Sequence, residues 1–229
     1  MSLITEMDMG NKFEDLLNNK DGVKEFPYFR AVFRELNCKQ GIPDFIAIVG
    51  ENTEILQENI YDSEAISLDS GSLIISLLKP KSPRTLEYII SKAGLSHSTV
   101  KKAIKELIIR GIVCETEKGS FILSEKWELP KVELWAFELK LKDWKRALFQ
   151  CLQYKAFANR VMMIMPEDKE NIISKNIEVF KYHQIGIMLF NAENLNYKIL
   201  VKPSKFNPAS KSHNIYAVGR IATEINSTR

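Results

Sequence analysis

A short segment that is apolar on both faces does most to limit the folds open to this chain. Residues 43–49 have the sequence PDFIAIV, and successive side chains of a strand point to opposite faces. Beyond Asp44 both faces are apolar, so the strand has to be covered on both sides. Pro43 stands at the start, where a strand tolerates proline. The segment therefore predicts a buried central strand.

Similar short apolar runs and amphipathic segments occur before and after this strand. Further strands are predicted at AVFRELNC, KVELWAFELKL, RVMMIMP, IGIMLF and YKILV. Helices are predicted at NKFEDLLNN, from Asp143 to about Asn159, and at DKENIISKNIEVFKYH. This order favours an α/β fold, a mixed β-sheet flanked by helices. The last thirty or so residues, rich in Ser, Asn, Lys and Pro, do not indicate a particular element.

The middle of the chain has a different pattern. SGSLIISLL, TLEYIISKA and SHSTVKKAIKELIIRG predict three helices separated by Pro and Gly. GIVCE and SFILSE follow, on either side of Glu117-Lys118-Gly119, which is a hairpin signal. Three helices closed by a hairpin are typical of a winged helix-turn-helix. We therefore predict an α/β domain of residues 1–64 and 131–229 with a winged-helix domain of residues 65–130 inserted into it.

Composition indicates a globular protein with a real core. Hydrophobic residues make up 45% and charged residues 27% of the 229, which excludes a disordered or collagen-like chain. No apolar run approaches the roughly 18 residues that span a bilayer, and the N-terminal sequence does not resemble a secretory signal. The three scattered cysteines form no C-x-x-C pair, as in reduced cytoplasmic proteins. We expect a cytoplasmic location and no membrane partner.

Charge is distributed unevenly along the chain. Residues 1–64 carry 6 basic and 13 acidic side chains, whereas residues 131–229 carry 16 and 9. The stretch from Lys79 to Arg110 carries 8 basic and 2 acidic side chains. Concentrated positive charge is a footprint for a polyanion, although lysines and arginines that merely solvate helix surfaces give the same composition.

Polar residues enter the strand LWAFELKL midway along one of its faces. The face that begins with Leu134 turns charged at Glu138 and Lys140. These two residues share a face, with Cα atoms roughly 7 Å apart. If PDFIAIV pairs beside this strand, Asp44 joins them. Two carboxylates and one ammonium would then meet at the end of a sheet.

Such a cluster suits phosphodiester hydrolysis. Mg²⁺ prefers oxygen ligands and usually keeps several waters, so two carboxylates and a substrate phosphate can hold it. The bound ion lowers the pKa of a coordinated water and neutralises charge on a phosphate oxygen. A nearby lysine can orient or help deprotonate that water, or stabilise the transition state. Mg²⁺ or Mn²⁺ is therefore the expected cofactor.

Two short motifs resemble those of a known family, and they are Pro43-Asp44 and Glu138-Leu139-Lys140. Together they resemble the motif of the PD-(D/E)XK nuclease superfamily, which has the restriction-endonuclease-like fold. The order of elements is similar to that family's core over roughly residues 10–55 and 131–200. The two motifs lie 94 positions apart here, a spacing that only the inserted unit explains.

The resemblance implies roles for individual residues. Asp44 and Glu138 would bind the metal together with the backbone carbonyl of Leu139, and Lys140 would assist the nucleophilic water. The family often has a further acidic residue on its first helix. Glu14 is the first choice for that position, and Glu25 and Glu35 are alternatives.

A second motif follows on the next predicted helix. Gln150 and Tyr154 in FQCLQYKAF resemble the Q-x-x-x-Y motif of the RecB-like branch, and at this spacing they share one helix face. The resemblance implies DNA contacts near the active site, with Arg146 adding a phosphate contact one turn earlier. Trp144 is best interpreted as a side chain that packs in the core. The alternative is that Trp144 or Tyr154 stacks on a base.

The segment GLSHSTVKKAIKELIIRGIV resembles the helix-turn-helix of winged-helix DNA-binding domains. In such motifs the second helix enters the major groove. The outward side chains of that helix would be His97, Ser98, Lys101, Lys102 and Lys105. We expect phosphate contacts here, although many winged helices bind proteins instead.

These features together predict a metal-dependent DNA endonuclease, in which the winged helix positions DNA and the α/β domain cleaves it. Two alternatives stay open. One is a catalytically inactive, nuclease-like DNA-binding regulator, and the other is a protein-interaction module. DNA is the expected partner, and a homodimer is an expectation because enzymes that cut both strands often pair.

Overall fold

The computed structural model describes residues 5–19, 22–50 and 60–227. The chain divides into two compact units. One comprises residues 1–51 and 132–209, and we call it the α/β unit. The other comprises residues 52–131 and 210–229, and we call it the helical unit.

Strands occur in both units. In chain order the described strands are β1 (Ala31–Arg34), β2 (Phe45–Val49), β3 (Val113–Glu115), β4 (Phe121–Leu123), β5 (Glu133–Leu139), β6 (Arg160–Pro166), β7 (Gly186–Phe190) and β8 (Tyr197–Val201). Six of them form one sheet in the order β1-β2-β5-β6-β7-β8, and β3 pairs with β4. The neighbours β5-β6 and β6-β7 are parallel and the others are antiparallel. The predicted mixed sheet is confirmed.

Helices flank this sheet and build the second unit. The described α-helices are α1 (Glu6–Asn18), α2 (Ile60–Ile66), α3 (Asp69–Leu77), α4 (Leu86–Ala93), α5 (His97–Ile109), α6 (Trp144–Tyr154), α7 (Glu170–Lys175), α8 (Ile177–His183) and α9 (Lys211–Ser227). Among the residues the structure describes, no helix has both the length and the apolar character needed to cross a bilayer.

The core of the α/β unit is centred on the apolar strands predicted from the sequence. Four of the five residues of β2 are buried. On one face of the sheet, α1 places Phe13 edge-on against three rings at centroid distances of 5.8, 5.5 and 5.8 Å, those of Phe45, Phe137 and Phe190. Each such aromatic pair adds roughly 0.5–1.5 kcal/mol beyond area burial. This packing fixes α1 against β2 and β5.

The start of α1 lies five residues before the predicted one, because a capping box begins the helix. The Thr5 hydroxyl accepts a hydrogen bond from the Asp8 N–H at 3.1 Å, and the Asp8 carboxylate accepts one from the Thr5 N–H at 3.0 Å. The two hydrogen bonds give partners to the Thr5 and Asp8 N–H groups at the start of the helix, which have none within the helix. The first turn of α1 therefore contains Glu6.

The helical unit contains the predicted helices and hairpin. α4 ends at Gly94, whose φ is 63°, and α5 is capped by Ser96, which accepts the Thr99 N–H at 3.1 Å. β3 and β4 pair antiparallel, with Val113 opposite Leu123. These helices share one apolar core with the hairpin.

The last helix, α9, belongs to the helical unit, whereas the sequence placed residues 131–229 together in the α/β domain. α9 packs against α2 and α3. Gly219 allows this close approach, since a Cβ there would lie 2.7 Å from Ile66 Cγ1 and 2.7 Å from the Ser67 nitrogen. The helical unit is therefore built from two separate stretches of chain.

Candidate functional site

The pairing of β2 with β5 brings the two predicted carboxylates together. Phe45 lies opposite Phe137 in the antiparallel register, and Asp44 and Glu138 are the next residues outward. Directly opposite residues of such a pair share a face of the sheet. The Asp44 carboxylate also accepts a hydrogen bond from the Leu139 N–H at 2.6 Å. The adjacency on which the predicted cluster depends is therefore present.

The Lys140 ammonium lies at the centre of this cluster. Its Nζ is 2.8 Å from Glu138 Oε1, 3.9 Å from Asp44 Oδ2 and 4.0 Å from Glu6 Oε2. It also donates to the Leu139 carbonyl oxygen at 2.9 Å. One positive charge is thus surrounded by three carboxylates and a carbonyl. In this conformation the Lys140 ammonium is the cation that these oxygen atoms surround.

Glu6 is the acidic residue of the first helix that reaches the cluster. Besides its approach to Lys140, its Oε1 accepts a hydrogen bond from the Leu141 N–H at 3.3 Å. Sequence reasoning missed this residue because apolar periodicity placed the helix start later. The Thr5-x-x-Asp8 capping box was the signal that could have found it.

The three acidic residues considered from the sequence lie elsewhere or at the margin. Glu14, the first choice, is paired with Arg34 at 3.6 Å. Glu25 accepts a hydrogen bond from the Tyr197 hydroxyl at 3.1 Å. Glu35 is exposed and lines a cleft beside Asp44. The structure therefore does not bring Glu14 to the cluster.

Tyr154 supports Glu138 from the opposite side. Its hydroxyl donates to Glu138 Oε2 at 2.5 Å and lies 3.1 Å from the Ile42 carbonyl oxygen. The tyrosine is only 1% exposed, so it faces no nucleic acid in this conformation, in contrast to the contact that the family resemblance implies. Its side chain holds one Glu138 oxygen while Lys140 contacts the other.

Gly41 makes room for the Tyr154 ring. Its φ of 145° lies in a region that L side chains rarely adopt. A Cβ at this position would be 2.6 Å from Tyr154 Cε1. A glycine at position 41 thus allows the segment before β2 to close over the tyrosine.

Burial and neighbouring charges shift the pKa values of this cluster. Burial raises the pKa of Asp44 above its ordinary value, against the Leu139 N–H and the Lys140 charge. Burial and the Asp44 charge raise the pKa of Glu138, against the Lys140 and Tyr154 hydrogen bonds. Burial by itself would lower the pKa of Lys140, but the ion pair with Glu138 reverses this and raises it. The lysine is therefore held in its charged form.

An open cleft leads to the cluster from one side. It has a volume of about 390 Å³, and its lining residues are Glu6, Met7, Gly10, Arg34, Glu35, Asp44, Phe45 and Leu139. The Asp44 side chain is 32% exposed, whereas Glu138 is completely buried. Solvent and ligands therefore reach the cluster past Asp44, and Glu138 lies behind the Lys140 ammonium.

The other residues predicted on α6 have separate environments. Arg146 is exposed, and its N–H donates to the Asp143 carboxylate at 3.0 Å as part of the helix cap. Gln150 is half-buried, and its Oε1 is buried without a hydrogen-bond partner among the described residues. Cys151 is fully buried, and burial raises the pKa of its thiol well above the usual value, as for a core residue.

The predicted DNA-contacting side chains of α5 all face solvent. The five residues are exposed, and they are His97, Ser98, Lys101, Lys102 and Lys105. Nearby Arg110 differs, since it is paired with Glu106 at 2.7 Å and with Glu64 at 3.1 Å. The helical unit therefore presents a basic face on one helix.

The donor chemistry of the cluster fits a hard divalent cation. Asp44, Glu138 and the Leu139 carbonyl offer only oxygen atoms, the ligands that Mg²⁺ and Mn²⁺ take. Within the described ranges, no group of three or more His, Cys, Asp and Glu side chains stands ready to hold a metal. The fit therefore requires the backbone carbonyl as the third donor and the departure of the Lys140 ammonium from its present position.

Comparison with protein-family models, with curated proteins and with solved structures gives no match to this chain. Membership of the nuclease superfamily therefore stays a proposal. This proposal rests on the arrangement of Asp44, Glu138 and Lys140.

Proposed function

We propose that this chain is a divalent-metal-dependent DNA endonuclease whose active site is the cluster of Asp44, Glu138 and Lys140, on a restriction-endonuclease-like α/β unit. The observation that carries the proposal is the set of oxygens around one ammonium, beside an open cleft. A site that holds a positive charge among carboxylates is suited to exchange it for a metal ion.

Asp44, Glu138 and the Leu139 carbonyl would hold Mg²⁺ or Mn²⁺. Once bound, such an ion supplies an activated water and neutralises charge on a phosphate oxygen. Glu6 adds negative charge on the α1 side of the cluster. Tyr154 fixes Glu138 so that one carboxylate oxygen stays directed toward Lys140.

Lys140 acts electrostatically and by orienting the water. Its raised pKa keeps it protonated at neutral pH, so it is a poor base in the observed conformation. A protonated lysine beside the attacked phosphate stabilises the charge that develops there. As long as Lys140 stays protonated, the proton of the attacking water would pass to another acceptor, and the open cleft beside Asp44 gives access to bulk solvent.

We further propose that the helical unit is a winged helix-turn-helix that binds duplex DNA through α5. Its three helices and hairpin have the required order, and the exposed lysines of α5 suit phosphate contacts. Such contacts make binding strongly dependent on salt.

One observation favours a second candidate function, a nuclease-like DNA-binding regulator that does not cut. Lys140 already neutralises the carboxylates, and Glu138 is completely buried behind it. If the ammonium never leaves, the cluster is a structural ion pair. The protein would then bind duplex DNA in the presence of a chelator without cutting it. The Lys101→Glu, Lys102→Glu variant would lose this binding, and Asp44→Ala would keep it.

The test of the endonuclease is cleavage of plasmid DNA in Mg²⁺ or Mn²⁺. Wild type should cut, whereas Asp44→Ala and Lys140→Ala should lose cutting by several orders of magnitude. Glu6→Gln should cut less, and Glu14→Gln is the matched control on the same helix, since Glu14 pairs with Arg34 outside the cluster. Equal cutting by all variants, or none by wild type on a broad set of DNA substrates, contradicts the proposal.

A further inference from the structure

We propose that the outer face of α6, together with the residue just before its cap, binds single-stranded nucleic acid by stacking a base on Phe149. We call this the α6 surface, and its residues are Lys142, Lys145, Arg146 and Phe149. The inference rests on the proposed nuclease function and adds single-stranded regions and frayed ends to the duplex DNA that α5 would bind.

The face of α6 that points outward is fixed by what the helix buries. Ala147, Cys151 and Tyr154 are buried on the inner side. All four residues of the α6 surface are exposed. Within the helix, Lys145 and Arg146 lie four and three positions before Phe149, which puts these three residues on one side of it, and Lys142 lies in the chain just before the cap. Cations and a ring therefore share one exposed stripe.

Phe149 is the aromatic residue of α6 that is free to stack. Its side chain is 61% exposed. The other two aromatic side chains of the helix are engaged, because Trp144 packs against Phe180 at a centroid distance of 6.0 Å and Tyr154 is buried against Glu138. Proteins that bind single strands stack bases on exposed aromatic side chains beside cations, and Phe149 has both features.

The α6 surface adjoins the cluster through the chain at its Lys142 end. Lys142 follows Lys140 by two residues, whereas Tyr154, through which the helix contacts Glu138 and the Ile42 carbonyl oxygen, lies on the buried inner side. The open cleft past Asp44 is lined by residues of other elements. A strand lying along α6 would thus meet the segment that supplies Lys140 at the start of the helix.

Charge on the α6 surface is positive. Three of its four residues are cations, and the acidic residue within the stretch, Asp143, accepts the Arg146 N–H as the helix cap. Lys145 also lies 5.8 Å from the centroid of the Trp144 ring. These cations suit backbone phosphates, which carry no sequence information.

Stacking on Phe149 selects single strands. In a duplex the faces of the bases are covered by their neighbours, so a side chain reaches them only where bases are unpaired. Cations alone would bind duplex and single strand alike. The ring therefore directs this surface toward single-stranded regions or frayed ends.

The test measures binding of fluorescein-labelled oligo(dT) and of an abasic oligomer of equal length to the full chain, in a chelator that prevents cutting. Phe149→Ala should weaken oligo(dT) binding about tenfold or more, the size expected for one stacked base, and should leave the abasic oligomer unchanged. Phe149→Trp should retain binding, with tryptophan fluorescence quenched by oligo(dT). Tyr182→Ala, at an aromatic residue 84% exposed on α8, is the matched control and should bind like wild type.

Three results of the binding measurements would overturn the inference. They are unchanged binding by Phe149→Ala, an equal loss for the abasic oligomer, and an equal loss in Tyr182→Ala. Self-association in sedimentation that Phe149→Ala abolishes would also overturn it and assign the surface to contacts between copies. The binding measurements are made in chelator, where no DNA is cut, so they do not depend on cleavage. If the endonuclease proposal alone is wrong, cleavage is absent in Mg²⁺ or Mn²⁺ while Phe149→Ala still weakens oligo(dT) binding.

Discussion

At the scale of single residues, two neighbours divide the carboxylate oxygens of Glu138 between them. The Tyr154 hydroxyl donates to one oxygen, and the Lys140 ammonium contacts the other. A buried carboxylate without such partners would carry a large desolvation cost. The orientation of Glu138 therefore depends on both side chains, and the resemblance had implied a contact of Tyr154 with DNA instead of with Glu138.

Replacement of Tyr154 by Phe should separate the role of this hydroxyl from that of the ring. Because a buried carboxylate loses its donor, we expect the free energy of unfolding to fall by about 1.5–3 kcal/mol. Mn²⁺ affinity should fall about 10- to 100-fold, as when the outer partner of a metal ligand is lost. Urea denaturation and calorimetry measure the two effects. Tyr182→Phe, at an exposed position, should change neither, and an unaltered Mn²⁺ affinity in Tyr154→Phe speaks against the positioning role.

The raised pKa of Asp44 predicts a dependence of stability on pH. Between the ordinary value of 3.8 and the raised one, the folded state binds more protons than the unfolded state, so this carboxyl makes stability fall as pH rises through that interval. Asp44→Asn removes the charge and can still accept the Leu139 N–H. We expect it to raise the free energy of unfolding at neutral pH and to have no effect well below pH 3.8, where both states of wild type are protonated.

Denaturation across a pH series is the measurement, with Asp15→Asn at an exposed position of α1 as the control. A destabilised Asp44→Asn at neutral pH would show that the carboxylate is held for stability. That result would remove one reason to regard Asp44 as a functional residue.

At the scale of elements, most strands and helices could be predicted from apolar periodicity, and the exceptions have physical causes. α1 begins at a capping box, which carries little hydrophobic signal. The helix predicted over DKENIISKNIEVFKYH is divided into α7 and α8 at Asn176. α9 was not predicted because small residues provide much of its buried face, among them Ala217, Gly219 and Ala222. Small buried residues give a weak periodic pattern.

Gly219→Ala tests the packing of α9. Alanine favours a helix over glycine by about 1 kcal/mol, so the exchange would stabilise an isolated helix. Here the added Cβ would meet Ile66 and the backbone of Ser67 at 2.7 Å, and we expect a net loss of about 1–3 kcal/mol in the free energy of unfolding.

Gly10→Ala on α1 is the control for this exchange. Its Cβ would meet the end of the flexible Arg34 side chain at 3.0 Å and the Phe45 ring at an ordinary contact distance of 4.0 Å, so we expect little change or a small gain. Similar effects of the two substitutions in urea denaturation would contradict the close packing of α9.

At the scale of the whole molecule, long-range pairing determines the candidate site. β2 and β5 are neighbours although 94 positions separate Asp44 from Glu138, and the intervening chain folds within another unit. The sequence could predict that Asp44, Glu138 and Lys140 meet, because their strands have clear patterns. It could not predict Glu6 or the inward turn of Tyr154, which depend on tertiary packing.

The central claim is that this cluster exchanges the Lys140 ammonium for a divalent cation. Isothermal titration calorimetry with Mn²⁺ tests it without reference to cleavage. We expect wild type to bind Mn²⁺ at one site, Glu138→Gln to lose that binding, and Lys140→Met to bind more tightly because the competing charge is gone. Absence of Mn²⁺ binding by wild type, or equal affinity in wild type and Glu138→Gln, would contradict the account.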